Sequence, residues 1–308
     1  MSKVVVVGSF VVDLMARAPH LPGPAETVKG DFFQRGPGGK GFNQGVAAFK
    51  SGAEVTMVSK VGQDSLAAVA LDHMRELKMS QEYMFVSPEV GTGVALIMVD
   101  EQTSQNQIVV VPGACNTITP AELASIEPLL KEAEFLLLQL EINPEVNAQV
   151  VELARELGVK VIMNTAPYAP VPDELLRQLW LVTPNEVEAE GLTGLKVDSE
   201  AKAREAAQLL KNRGIANVII TMGAQGVFVS TAEREAFIPA YEVEAIDSTG
   251  AGDAFNGGLL TALAEGKNLF AAAEFANATA ALSVQKLGTT PSMPWRSEID
   301  QFIAAQEG

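Results

Sequence analysis

Four short apolar runs decide the fold: FLLLQL at Phe135–Leu140, KVIMN at Lys160–Asn164, LVT at Leu181–Thr183 and VIIT at Val218–Thr221. Each has the length of a strand, and helical spacing fills the intervals between them. Strands that alternate with helices build a parallel sheet through right-handed crossovers. Outward from this block, Val4–Val7 is a continuous β-branched run ending at Gly8, the pattern of a central strand buried on both faces. Helices are expected at Lys40–Ser51, Ser65–Leu77, Ala251–Glu265, Leu269–Lys286 and Trp295–Ala305, and a strand at Val55–Val61. Gly226–Ser230 and Ala236–Pro239 read as an antiparallel hairpin. Two stretches break the rhythm. Between Leu14 and Arg35, Pro19, Pro22, Gly23, Pro24 and Gly30 leave no helical period, and Glu82–Val111 alternates polar and apolar residues around Val94, Leu96, Met98, Ile108 and Val110. Both read as short, mainly antiparallel strands, forming a small β appendage on one α/β core.

Composition sets the outer limits. A chain of 308 residues, 47% hydrophobic and 19% charged, has material for a large ordered core. Its 22 Lys and Arg against 38 Asp and Glu leave a formal charge of −16, which opposes binding to a nucleic-acid backbone. One cysteine, Cys115, and two histidines, His20 and His73, leave little for a disulfide, a zinc site or a Ser-His-Asp triad. The opening MSKVVVVGSFVVDL is too short and too interrupted for a signal peptide or a membrane span. A cytoplasmic address is the expectation, and an unpaired cysteine agrees with it.

The sharpest local signal is Asp247-Ser248-Thr249-Gly250-Ala251-Gly252-Asp253, a turn of small residues opening into an apolar helix. The backbone N–H groups of Gly250, Ala251 and Gly252 could converge on an anion at a helix N-terminus, and Asp253 could take a proton from an attacking hydroxyl. The plainer reading, that Asp253 complements the helix dipole, stands beside it on equal terms. Gly36-Pro37-Gly38-Gly39-Lys40-Gly41-Phe42-Asn43-Gln44 is a glycine loop without Walker spacing. Backbone at Gly38 and Gly39 could approach a ligand closely, with Lys40 and Asn43 as donors, or the loop could simply be flexible. Asn185 and Glu188 sit three apart at a strand end, which also describes a helix cap with its reciprocal Glu. Thr221-Met222-Gly223-Ala224-Gln225-Gly226 is either a hairpin turn or a nucleotide loop.

In this order, GGKGFNQ, LQLE, TPNEVEAEGLTG, TMGAQG and DSTGAGDAFNG resemble the ribokinase family of carbohydrate kinases, from about Val4 to Pro291-Ser292-Met293-Pro294-Trp295. The resemblance implies a three-layer α/β core with a mostly parallel sheet, and a single kinase domain over residues 1–308 with a lid from about 12–36 and 82–112. It implies transfer of the ATP γ-phosphate to the primary hydroxyl of a sugar, ribose or 2-deoxyribose. Asp253 would be the base and Gly250, Ala251 and Gly252 the anion hole. Val11, Asp13, Gly38, Gly39, Lys40, Asn43 and Glu141 would face the sugar. Asn185, Thr221, Gly223, Gly226 and Asn277 would line the ATP site, and Glu188 would reach Mg2+ through phosphate or water. Asp247, Thr249, Ser283, Lys286, Gly288 and Ser292 would cage a monovalent cation, K+. The lid would clasp a second subunit as a homodimer.

The chain departs from the family at Phe42, where Ala is usual, at Asn164-Thr165-Ala166-Pro167, where Asn-Pro-Ala-Pro is usual, and at Val11, where ribose kinases carry the asparagine of SINAD. A different sugar pocket is the expectation. Other readings are a hexose or nucleoside kinase on the same fold, and a catalytically silent sugar or nucleotide sensor, against which an intact GAGD argues. A dinucleotide-dependent oxidoreductase lacks its glycine fingerprint.

Overall fold

A computed structural model describes residues 2–103 and 105–306. Its strands in chain order are β1 (Lys3–Val7), β2 (Val11–Ala18), β3 (Phe32–Gly38), β4 (Glu54–Gly62), β5 (Met84–Ser87), β6 (Thr92–Asp100), β7 (Asn106–Gly113), β8 (Ala133–Leu138), β9 (Lys160–Met163), β10 (Leu181–Val182), β11 (Asn217–Thr221), β12 (Gly226–Ser230) and β13 (Glu235–Pro239). Nine of them form one sheet in the order β13-β12-β11-β10-β9-β8-β1-β4-β5, parallel from β11 to β5 and antiparallel through the β11–β12–β13 edge.

The sheet is covered on both faces, and strand alternation shows how. Val4, Val6, Phe135 and Leu137 enter one hydrophobic core, together with Leu259 and Leu260 of the helix Ala251–Ala264. Val5, Val7, Leu136 and Leu138 enter the other, with Val146 and Val150 of the helix Pro144–Glu156. A side-chain period of two on a doubly covered strand leaves no solvent face, so these runs read as continuously apolar. The helix Lys40–Lys50 lies against Ala251–Ala264 at van der Waals range, because Gly257 presents no Cβ to Ala47. Phe42 points into this core, edge-on to Phe10 with ring centroids 5.0 Å apart, so the departure expected to reshape the sugar pocket instead fills the interior.

The remaining four strands form a small sheet in the order β3-β2-β6-β7. Two details differ from the sequence reading. Strand β5, within the stretch assigned to the appendage, instead pairs parallel with β4 as the edge of the large sheet. Within the small sheet, β2 and β6 run parallel rather than antiparallel. Alternation reveals that a strand is half-buried but not which partner it pairs with. The helix expected to reach Lys286 ends at Ser283, after which the chain turns towards Gly288 with φ 86°.

Strand order reverses around β1: the chain passes from β1 to β4 on one side and returns to β8 on the other. Crevices at the carboxyl ends of strands flanking such a reversal are where open α/β sheets bind ligands.

Candidate active site

At that crevice the chain after β1 meets the chain after β8. Ser9 Oγ donates to Glu141 Oε2 at 2.5 Å, and the Lys40 N–H donates to the same oxygen at 2.8 Å. The carboxylate thus pins the start of the helix Lys40–Lys50. The glycines before it are demanded by space: Gly39 has φ 90°, and a Cβ on Gly38 would land on the Asp13 carboxylate. Asp13 projects from β2 beneath the small sheet and lines a cavity of about 210 Å3, shared with Asp247, Thr249, Gly288 and Thr289. Burial pushes the Asp13 carboxyl up to about 6, against the opposing hydrogen bond from Thr289 and with Glu141 and Asp253 adding to the rise.

Asp253 stands in the first turn of the helix Ala251–Ala264 and is buried. Asn43 Nδ2 donates to its Oδ2 at 3.0 Å and Gln44 Nε2 to its Oδ1 at 2.9 Å. The helix opens at Gly250, left-handed at φ 79°, and no side chain caps its first N–H groups. The Ala251 N–H turns back to the Ser248 carbonyl at a long 3.2 Å, a bond for which an incoming anion could compete. The Lys40 ammonium lies in the field of Asp253, which raises its pKa against burial, with help from Glu141 and Glu188. One cation thereby lies in the field of three carboxylates from different parts of the chain.

Asn185 and Glu188 form a full capping box: Asn185 Oδ1 accepts from the Glu188 N–H at 2.8 Å, and Glu188 Oε2 accepts from the Asn185 N–H at 3.0 Å. The local reading is therefore realised. Burial raises the Glu188 carboxyl, and the neighbouring charges of Asp253 and Glu186 add to it. Thr221 bridges to Asn185 across the strand ends, and Gly223 and Gly226 form the turn that follows. Asn277 is occupied structurally, donating to the Pro239 carbonyl at 3.2 Å. Val11, 4% exposed, is paired with Gly38 on one side and Gly93 on the other.

Asp247 ties two loops together, accepting from the Thr249 N–H and the Gly288 N–H, each at 2.9 Å. Burial alone would raise its carboxyl, but these bonds outweigh it and hold the group below the usual range. Ser292 Oγ donates to the Thr289 carbonyl at 2.7 Å, and the Ser283 carbonyl accepts from the Lys286 N–H at 3.2 Å.

The contacts of several polar residues in the site escape a reading of the sequence. Gln44, Gln139, Asn164 and Thr290 are buried around the Asn43–Asp253 contact. Gln44, Gln139 and Asn164 lie inside stretches the sequence singles out, Gln139 as the polar interruption of FLLLQL, but nothing in the sequence joins them to Asp253.

An anion-ready helix start, a buried carboxylate within it and a polar crevice alongside describe a phosphotransferase acting on a small hydroxylated molecule. Comparison with known proteins narrows this: the family model described as pfkB family carbohydrate kinase matches residues 1–296, and the chain belongs to that family. It is 38% identical to a ribokinase of Haemophilus influenzae, over 97% of each chain. It is 33% identical to a deoxyribokinase of Salmonella typhi, over 99% of each. Among solved structures, Arabidopsis thaliana ribokinase complexed with ribose and ATP superposes with a TM-score of 0.90 at 28% identity, covering 98% of this chain and 99% of that one.

Proposed function

We propose that the protein is an ATP-dependent pentose kinase that moves the γ-phosphate of ATP to the 5-hydroxyl of free ribose or 2-deoxyribose. The observation that carries this reading is Asp253, a buried carboxylate held on both oxygens by Asn43 and Gln44 at the open start of a helix. Asp13 and Glu141 accept from sugar hydroxyls, with Gly38, Gly39, Lys40 and Asn43 around them and Val11 as an apolar wall. The 5-hydroxyl gives its proton to Asp253 as its oxygen bonds to the γ-phosphorus. The bond from that phosphorus to the β-phosphate oxygen breaks, and ADP leaves. Backbone N–H groups of Gly250, Ala251 and Gly252 hold the transferring charge. The nucleotide lies over Asn185, Thr221, Gly223, Gly226 and Asn277.

Two cations belong to this reading. Mg2+ would neutralise phosphate charge, with Glu188 reaching it through phosphate or water; a buried carboxyl with a raised pKa beside Asp253 is a group that gains from a cation. A monovalent cation, K+, would be held by oxygens of Thr249, Ser283, Lys286, Gly288 and Ser292 beside the loops that Asp247 ties together, and would supply no further chemistry than fixing the loop's shape. The small sheet acts as a lid over the sugar and as the contact of a homodimer. Among the described residues no helix is long and apolar enough to cross a membrane. The cytoplasm, where ATP is available and the buried thiol of Cys115 stays reduced, is the proposed location.

A coupled ATPase assay over a panel of free sugars, with product identification, tests the reading, and Asp253→Asn tests its mechanism. The substitution is expected to lower kcat by roughly 10²–10⁴-fold with ATP affinity retained. Turnover near that of the unsubstituted protein would show that Asp253 is not the base.

A further inference from the structure

Both oxygens of Asp253 are met by side-chain amides, and the far end of each amide is filled by another donor. Asn43 Nδ2 donates to Oδ2, while Thr290 Oγ1 donates to Asn43 Oδ1 at 2.7 Å. Gln44 Nε2 donates to Asp253 Oδ1 and, at 3.0 Å, to Asn164 Oδ1, while Gln139 Nε2 donates to Gln44 Oε1 at 2.7 Å. An amide has a donor end and an acceptor end, so whatever meets one end decides what the other presents. If Gln139 no longer donated, the Gln44 oxygen would lose its partner. The Gln44 amide would then be anchored only through its donor end, on Asp253 Oδ1 and Asn164 Oδ1, and could swing off the carboxylate.

Water offers no easy substitute, since Gln44 and Gln139 are both 0% exposed. Gln139 is also held at a cost. Its Oε1 packs onto Gly8, where a Cβ would collide with it, and finds no hydrogen-bond partner among the described residues. A buried polar atom left unpaired in an otherwise apolar strand end calls for a compensating role. Its main-chain carbonyl is fixed as well, accepting from Asn147 Nδ2 at 2.9 Å.

We propose that Gln139 is a positioning residue for phosphoryl transfer: by donating to Gln44 it fixes the direction of the amide chain, so that Asp253 receives a donor on Oδ1 and keeps the orientation that takes the substrate's proton. This rests on the reading of Asp253 as the base. The chain leaving β8 then serves the reaction twice, with Gln139 aligning the base from behind while Glu141 faces the sugar.

The test is a double-mutant cycle. Steady-state kinetics are measured for Gln139→Glu, which when ionised cannot donate, and for Gln139→Met, which removes the donor at similar length, each with and without Asp253→Asn. In the Asp253 background kcat is expected to fall roughly 10- to 100-fold, the range for losing one hydrogen bond to a charged group, with KM for sugar and ATP unchanged. In the Asp253→Asn background, where no carboxylate remains to align, the same substitutions are expected to have little further effect. Gln139→Met carries the test if Gln139→Glu does not fold. Retention of full kcat by folded Gln139→Met, or an equal loss in both backgrounds, would overturn the proposal. An Asp253→Asn variant with undiminished kcat would overturn the assignment of the base instead.

Discussion

At the scale of single residues, the sugar contact proposed for Asp13 conflicts with stability. Its carboxyl rises from 3.8 to about 6, first because it is buried and further because Glu141 and Asp253 lie near. An acid with a raised native pKa keeps its proton in the folded chain at pH values where the unfolded chain has lost it. Stability is therefore highest below the unfolded value, falls as pH climbs towards 6, and stays lower above it by up to about 3 kcal/mol. Asp13→Asn is accordingly expected to raise the thermal midpoint at pH 8 and leave it nearly unchanged at pH 4, while raising the sugar KM. Equal midpoints at pH 8 would mean that the carboxylate is not strained by its burial. The sequence points to Asp13, Lys40, Asn43 and Asp253 because they sit inside recognisable motifs. It cannot point to Gln44, Gln139 and Thr290 as one network, since the pairs Gln139–Gln44, Gln44–Asp253 and Thr290–Asn43 are separated by 95, 209 and 247 positions.

At the scale of elements, the helix Ala251–Ala264 holds glycines with opposite duties. A Cβ on Gly257 would collide with Ala47, whereas a Cβ on Gly252 would meet nothing within 4 Å. Gly252→Ala should therefore fold normally and gain up to about 1 kcal/mol from helix propensity, yet place a methyl where the proposed mechanism brings the phosphate. The expected result is an undiminished thermal midpoint with reduced kcat; full activity would mean that this helix start does not cradle phosphate. The loop preceding it makes a second prediction. If the oxygens around Asp247 hold K+, replacing K+ with tetramethylammonium lowers kcat/KM, and an unchanged value across millimolar salt would remove the cation from the account. Helix and strand positions are legible in the sequence because apolar spacing follows from burial. Strand partnership is not, which is why β5 reads as part of the small sheet, and the Asn185 cap cannot be told from a ligand motif without seeing its bonds.

At the scale of the molecule, the small sheet has two apolar faces and only one is turned towards the site. Along β2, β6 and β7, the residues Asp13, Met15, Ile97, Val99 and Ile108 line the cavity over the crevice. By strand alternation their neighbours Leu96, Val109 and Val111 face the other way, where they are 47%, 57% and 50% exposed, and Phe33 on β3 is 66% exposed. Registers place Leu96 opposite Val109 and Val94 opposite Val111, so these side chains form one patch rather than scattered contacts. Contiguous apolar surface on a small sheet with open edges is what an association site would present, and the same sheet of a second copy, the proposed partner, would match it in size and chemistry. Because the other side of these strands roofs the cavity proposed for the sugar, dimerisation would stiffen the proposed lid as well as cover the patch. Sedimentation at micromolar concentration is expected to give a dimer. A charge at the centre of the patch, Leu96→Glu or Val109→Lys, is expected to give a folded monomer with a raised sugar KM, since the roof loses its backing while Asp253 and the helix start are untouched. A protein that is monomeric and fully active without substitution would separate the lid from any partner and leave the apolar face unexplained.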